Sequence, residues 1–145
     1  PLVGRPGGLP TSLARRVGLT VPCFLLDTNV ILYFLGGRLA DPFPAGAYAI
    51  SVISELELLA YPGLASSEEQ RIRDFLSDVP VTDLTQSVKH HAVDLRKRFG
   101  LKLPDAIVAA TALALEATLL TNDQRLLALA DGSHPGASRE AATLK

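Results

Sequence analysis

The sequence predicts an α/β protein with one domain built on a mostly parallel sheet. Short apolar runs alternate along the chain with longer segments of helical period, which is the pattern of successive βαβ units. The length of 145 residues is typical of one domain with one hydrophobic core. A content of 48% hydrophobic and 20% charged residues is typical of a chain that folds.

Four strands and six helices are predicted. The strands are expected at residues 24–26, 48–50, 79–82 and 118–120. The helices are expected at residues 28–35, 52–61, 66–76, 86–99, 106–116 and 124–130. The helix at 106–116 is apolar nearly all round, so we expect it to be the central buried helix.

Polar caps and glycines mark several helix ends. Thr28 is expected to cap the first helix. Ser66 with Glu69 forms a capping-box pattern for the third helix. Thr85 is expected to cap the fourth helix and Gly100 to end it.

Composition also predicts the organisation of the chain. Residues 1–20 contain three prolines and four glycines without a sustained period, so we interpret them as a flexible leader that is not native to the product or is removed from it. Residues 22–131 are expected to form the domain. Residues 132–145, rich in glycine, serine and alanine, are expected to be a loose tail without a strand.

Charge and cysteine content exclude several classes of protein. The net charge of -1 gives no overall basic character, so contacts with nucleic acid need locally gathered lysines and arginines. The single cysteine, Cys23, excludes an intramolecular disulfide and a cysteine zinc cluster. No apolar run reaches the roughly 18 residues that cross a bilayer, and we expect a cytoplasmic protein.

Four acidic residues fall where a parallel sheet can bring them together. Asp27 and Asp123 follow predicted strands, Asp105 lies at the start of the buried helix, and Glu57 lies in the helix after strand two. The carboxyl ends of parallel strands form the crevice where ligands bind. Clustered carboxylates repel one another unless a cation neutralises them, and hard oxygen ligands suit Mg²⁺ or Mn²⁺. A metal-dependent phosphodiester hydrolase is the activity that this arrangement favours.

Each acid taken alone also has a purely structural interpretation. Asp27 and Asp123 are suited to cap a turn or a helix, Asp105 to be the N-cap of its helix, and Glu57 to be a solvated helix residue.

The adjacent His90 and His91 point in different directions on a helix and cannot chelate one metal ion. One basic cluster has two interpretations, a solvated helix face or a site for RNA phosphates, and it comprises Lys89, Arg96, Lys97, Arg98 and Lys102.

Four segments, in order, resemble the signature stretches of PIN-domain nucleases of the VapC toxin type. They are LLDTNVIL (25–32), ISVISELELLAYP (50–62), LKLPDAIVAATAL (101–113) and LLTNDQRL (119–126). The resemblance covers about residues 22–131. In the second segment Ser51, Ser54 and Glu57 match the family pattern, which favours Glu57 over Glu55.

The resemblance implies a catalytic, metal-binding quartet of Asp27, Glu57, Asp105 and Asp123. It also implies that Asn29, Thr121 and Ser54 are polar neighbours of the quartet. The implied fold is a three-layer α/β/α sandwich, and the implied cofactor is Mg²⁺ or Mn²⁺. The implied activity is cleavage of single-stranded or structured RNA by a toxin that forms a homodimer and is inhibited by a small cognate antitoxin.

Two other functions compete with this interpretation. One is a non-catalytic PIN-like module that binds RNA or protein. Four mutually repelling acids argue against it, because a binding module has no reason to retain them. The other is a phosphotransfer domain with an Asp after its first strand, which needs a second acid beside that Asp and a later Lys. Thr28-Asn29 and Thr121-Asn122 supply neither.

Overall fold

The computed structural model describes residues 21–39 and 41–133. Its strands are β1 (Cys23–Leu26), β2 (Ala47–Ser51), β3 (Val81–Thr82) and β4 (Thr118–Leu120). Its helices are α1 (Thr28–Leu35), α2 (Val52–Leu59), α3 (Ser66–Asp78), α4 (Gln86–Phe99), α5 (Leu103–Leu115) and α6 (Gln124–Ser133).

The four strands of the described part form one parallel sheet in the order β3-β2-β1-β4. Strand β1 therefore lies between β2 and β4, and its Phe24 is opposite Tyr48 on one side and Thr118 on the other. The ends of β1 and β4 stay paired beyond the strands, because the Asp27 N–H donates to the Leu120 carbonyl over 3.0 Å. The residues that follow these two neighbouring strands are thus held close together.

Helices cover both faces of the sheet. On one face, Leu25 and Leu119 pack in a buried cluster with residues of α4 and α5, among them Val88 and Val108. On the other face, the buried cluster contains Phe24, Leu26, Tyr48, Ile50, Val30, Ile31, Ile72 and Phe75, the last four from α1 and α3. Because successive side chains of a strand point to opposite faces, β1 contributes to both clusters. The expected three-layer α/β/α sandwich around a parallel sheet is confirmed.

Helix α5 is the central buried helix that its composition predicts. Its buried residues are Ala106, Ile107, Val108, Ala110, Thr111 and Ala112. Thr111 satisfies its hydroxyl within the helix by donating to the Ile107 carbonyl over 2.7 Å. Helix α5 packs against α4, and the charge of Asp105 in its first turn acts on Asp27, the residue that follows β1.

Three predicted helix starts were wrong. Helix α1 is capped by Asp27, with Thr28 as its first residue. Helix α3 is preceded by Ala65, whose N–H donates to Glu68, so Ser66 is not the cap and Glu68 takes the place expected for Glu69. Helix α5 begins at Leu103 after Lys102, so Asp105 is neither its cap nor the residue before it.

Other predicted boundaries agree more closely. Thr85 caps α4 by accepting the Val88 N–H, and Gly100 ends that helix in the left-handed conformation, with φ of 64°. Helix α6 extends to Ser133, beyond the expected end at residue 130. The predicted leader, residues 1–20, and residues 134–145 of the predicted tail lie outside the described residues. None of the helices in the described ranges is long and apolar enough to cross a membrane.

Candidate active site

Asp27 is fixed at the end of β1 through both of its carboxylate oxygens. Its Oδ1 accepts the N–H of Thr28 over 2.8 Å, which is the capping bond of α1. Its Oδ2 accepts the hydroxyl of Thr121 over 2.7 Å. Asp27 therefore has the capping role that is common for an Asp after a strand, and this role fixes the orientation of its carboxylate at the end of β1.

Thr121 connects the loops that follow β1 and β4. Its side chain is 1% exposed, and its hydroxyl donates to Asp27 while accepting the N–H of Asp123 over 3.0 Å. Asp123 in turn accepts the N–H of Arg125 through Oδ1 over 2.8 Å, as a residue that caps α6 does. Two acids separated by more than ninety residues are thus linked through one hydroxyl.

Thr28 makes the corresponding connection to α2. Its hydroxyl oxygen lies 2.7 Å from Glu57 Oε1 and 2.9 Å from Ser54 Oγ. A hydroxyl carries one proton and an ionised carboxylate can only accept, so Thr28 donates to Glu57 and accepts from Ser54. Thr28 and Ser54 are both buried, whereas Glu57 is exposed and held at its tip.

Burial and mutual repulsion raise the pKa of two of the acids. For Asp27, burial raises the pKa most, the hydrogen bonds from Thr121 and Thr28 lower it, and the charges of Asp105 and Asp123 raise it. For Asp105, burial again raises the pKa most, followed by the charge of Asp123 and then that of Glu57. The charges of Asp105 and Asp123 therefore act on Asp27, and those of Asp123 and Glu57 act on Asp105.

The four predicted acids differ in how they are held. Asp27, Asp123 and Glu57 each accept a hydrogen bond, whereas the half-buried Asp105 carboxylate has no hydrogen-bond partner among the described residues. Within the ranges 21–39 and 41–133, no three His, Cys, Asp or Glu side chains are close enough to hold a metal ion between them as they stand.

The predicted polar neighbours are placed unequally. Thr121 and Ser54 are buried and bonded within the network described above. Asn29 is exposed in the first turn of α1, and its side chain makes no hydrogen bond to another described residue. Only a capping role for Thr28 was predicted from the sequence, and its hydrogen bond to Glu57 was missed. The position of Thr28, a polar residue directly after Asp27, was the feature of the sequence that could have indicated this contact.

The parallel sheet with helices on both faces, and the acids at its carboxyl edge, define an α/β/α protein whose ligands are expected at the ends of the strands. Residues 24–132 match the family model of the PIN domain. The chain belongs to the PIN domain family.

Solved structures of similar fold include three toxin-antitoxin proteins. A chain of a toxin-antitoxin complex from Klebsiella pneumoniae is 30% identical, with a TM-score of 0.62, and the alignment covers 81% of this chain and 98% of that one. A chain of VapBC2 from Rickettsia felis, bound to a DNA fragment from its promoter, is 20% identical, with a TM-score of 0.63 and coverages of 82% and 98%. A chain of VapBC-5 from Mycobacterium tuberculosis is 19% identical, with a TM-score of 0.63 and coverages of 84% and 98%. No curated protein sequence was found to match.

Proposed function

We propose that this protein is an endoribonuclease that uses Mg²⁺ or Mn²⁺ to cleave single-stranded RNA, and that it is the toxin of a toxin-antitoxin pair. Membership of the PIN domain family supports a nuclease in general. The observation that supports the proposal most is the Thr121 hydroxyl, which donates to Asp27 over 2.7 Å and accepts the Asp123 N–H over 3.0 Å. It holds two acids from different loops at the same edge of the sheet, where the charges of Asp105 and Asp123 raise the pKa of Asp27. Such concentrated negative charge is a feature that a bound cation compensates.

The donor set fits a hard divalent cation. All four acids offer carboxylate oxygens, the ligands that Mg²⁺ and Mn²⁺ prefer. Burial and repulsion raise the pKa of Asp27 and Asp105, so a positive ion beside them would favour their ionised forms. Asp27, Asp105, Asp123 and Glu57 would hold the ion, some of them through water, because Mg²⁺ usually takes only one or two carboxylates directly.

The contacts of Asp27 and Glu57 suggest a role for each of these two acids. Asp27 is oriented by Thr28 and Thr121 and supplies a fixed negative charge. Glu57 is anchored through Oε1, which leaves Oε2 to accept a proton from an attacking water. When bound, the ion would lower the pKa of a water molecule and stabilise the charge that develops on the phosphate.

Removal of the metal tests this proposal directly. The purified protein is expected to cut a fluorescent single-stranded oligoribonucleotide in the presence of Mn²⁺ or Mg²⁺. EDTA should reduce the rate to background because the carboxylates alone cannot activate water, and excess Mn²⁺ should restore it. Gel analysis of the fragments measures the rate, and cleavage that persists at full rate in EDTA would exclude a metal-dependent nuclease.

The proposed partners are a cognate antitoxin and a second copy of the chain. The similar structures from Klebsiella pneumoniae, Rickettsia felis and Mycobacterium tuberculosis are described as toxin-antitoxin systems, which supports the antitoxin. A short reading frame for a small DNA-binding protein directly upstream of this one would favour a toxin. Its absence would favour an RNA processing nuclease with the same chemistry.

A further inference from the structure

A nuclease with this acidic edge has to bind a polyanion beside four carboxylates. Each phosphodiester brings a negative charge, and the side chains of Asp27, Asp105, Asp123 and Glu57 repel it. A divalent cation offsets only part of that repulsion, and it acts at the phosphate being cleaved. The neighbouring phosphates need positive side chains at the rim of the site.

Lys102 lies at one side of this rim. It is the residue that precedes α5, and Asp105 is three positions further on, in the first turn of the same helix. The residue that precedes a helix and the third residue of that helix lie close together, as the capping box shows. The Lys102 side chain is exposed, and its charge lowers the pKa of Asp105 against the effect of burial. Its backbone position at the start of α5 therefore places Lys102 beside the acidic edge, with its side chain open to solvent.

Arg125 lies at another side of the rim, on a different element. It is in the first turn of α6, and its backbone N–H donates to Asp123 Oδ1 over 2.8 Å. Its side chain is exposed, and its charge also lowers the pKa of Asp105. Its backbone bond to Asp123 places Arg125 at the same edge of the sheet as the acids.

Neither cation is engaged elsewhere in the described part of the chain. Several other basic side chains are: Arg98 pairs with Asp94 at 3.3 Å, Arg73 with Glu69 at 4.0 Å, Arg71 donates to the Leu35 carbonyl, and Arg38 lies over the ring of Tyr33. By contrast, the side chains of Lys102 and Arg125 make no ion pair within 4.0 Å and no hydrogen bond with another described residue. Both are therefore available to a ligand.

We propose that Lys102 and Arg125 bind the RNA phosphates on either side of the one that is cleaved. The inference rests on the proposed function, since it takes RNA as the ligand of the acidic edge. It also divides the basic cluster recognised in the sequence, because it assigns phosphate binding to Lys102 and not to Lys89 or Arg96, which lie on α4. Arg125, which is outside that cluster, completes the pair.

The test compares two double variants in an Asp27→Asn background, in which RNA is not consumed. One carries Lys102→Gln with Arg125→Gln, and the matched control carries Lys89→Gln with Arg96→Gln, which removes the same charge from α4. Fluorescence anisotropy with a labelled single-stranded oligoribonucleotide and Mn²⁺ gives the Kd at several salt concentrations. All four side chains are exposed, so far-UV circular dichroism is expected to show the fold unchanged.

Loss of two phosphate contacts should raise the Kd of the first variant on the order of tenfold near 0.1 M salt, and reduce its salt slope by about 1.4, at roughly 0.7 per contact. The control should stay close to its parent. In proteins that keep Asp27, the Lys102→Gln and Arg125→Gln pair should raise KM and leave kcat within about twofold. An unchanged Kd and salt slope, with only Mn²⁺ affinity altered, would mean that the two cations merely balance the carboxylates and would overturn the inference.

The outcomes separate this inference from the proposed function. If protein with Asp27 intact fails to cleave RNA, but binding still depends on Lys102 and Arg125, the nuclease is refuted and the phosphate-binding pair stands. If that protein cleaves RNA and the two double variants bind it equally well, the pair is refuted and the nuclease stands. No RNA binding by the Asp27→Asn parent would refute the pair, while cleavage by protein with Asp27 still decides the nuclease.

Discussion

Asp27→Asn is expected to reduce RNA cleavage on the order of a thousandfold or more, because it removes the negative charge at the centre of the acidic edge. The shape of the site should survive. Asn is also a good N-cap, and the Thr121 hydroxyl can turn to accept from the new amide. Initial rates in saturating Mn²⁺ measure the loss.

A matched control is Asp83→Asn. Asp83 directly follows β3 as Asp27 follows β1. It is exposed, however, and β3 is an outer strand of the sheet in the described part of the chain, separated from β1 by β2. Its replacement should leave the cleavage rate unchanged. Equal activity of Asp27→Asn and Asp83→Asn would refute a role for Asp27 in the reaction.

The same Asp27→Asn variant should be more stable than the unmodified protein at neutral pH in EDTA. Burial raises the folded-state pKa of Asp27 above its ordinary value of 3.8, so ionisation of this group opposes folding. The protonated Asp27 carboxyl group stabilises the folded protein relative to the ionised one. This stabilisation is fully present below pH 3.8 and is lost as the pH rises through the raised pKa. The difference in unfolding midpoint between the two proteins should therefore shrink on acidification from pH 7. A variant less stable than its parent at every pH would contradict this account.

Thr121→Val is expected to lower the cleavage rate about 10- to 100-fold, the usual cost of losing a group that orients a metal ligand. Valine has the same shape but cannot donate to Asp27 or accept the N–H of Asp123. Leaving these groups without their partner should also cost about 1–3 kcal/mol of stability. Thermal unfolding and Mn²⁺ titration, measured beside the rate, separate the two effects.

Two variants control for the loss of a buried hydroxyl. Thr121→Ser keeps the hydroxyl and should retain most of the activity. Thr111→Val removes a hydroxyl that is equally buried, at 1% exposure for both threonines, but that bonds only within α5. It should lose stability without losing activity. Equal losses of activity in Thr111→Val and Thr121→Val would show that Thr121 acts only through stability.

The alternation of strands and helices was sufficient to predict the parallel sheet, and the resemblance to PIN-domain nucleases implied the helical layers on both of its faces. Helix starts were harder, for identifiable reasons. Both Asp27 and Thr28 are good caps, so the sequence could not choose between them. Pro104 is tolerated in the first turn of a helix, and α5 accordingly begins before it, at Leu103. Ala65 has no side-chain acceptor, and Glu68 alone completes that end.

The contacts around the acids depend on tertiary structure and were therefore harder to predict from the sequence. The positions of the acids relative to the predicted strands and helices selected them, and the resemblance to PIN-domain nucleases supported that choice and added Thr121. It did not reveal that Thr28 donates to Glu57, because that bond joins residues in different helices, 29 positions apart. The local sequence pattern is enough to predict a capping role for Thr28. Its hydrogen bond to Glu57 depends on how α1 packs against α2, which the local pattern does not contain.

The unequal support of Asp27 and Asp105 has a consequence for how a ligand is captured. Asp27 is preorganised by two donors, whereas the Asp105 carboxylate is not bonded to any other described side chain or backbone group. A cation bound at this edge would meet a fixed carboxylate at Asp27 and a carboxylate at Asp105 that can still rotate. Because the Asp105 side chain is short, its rotation towards the cation would order few torsions.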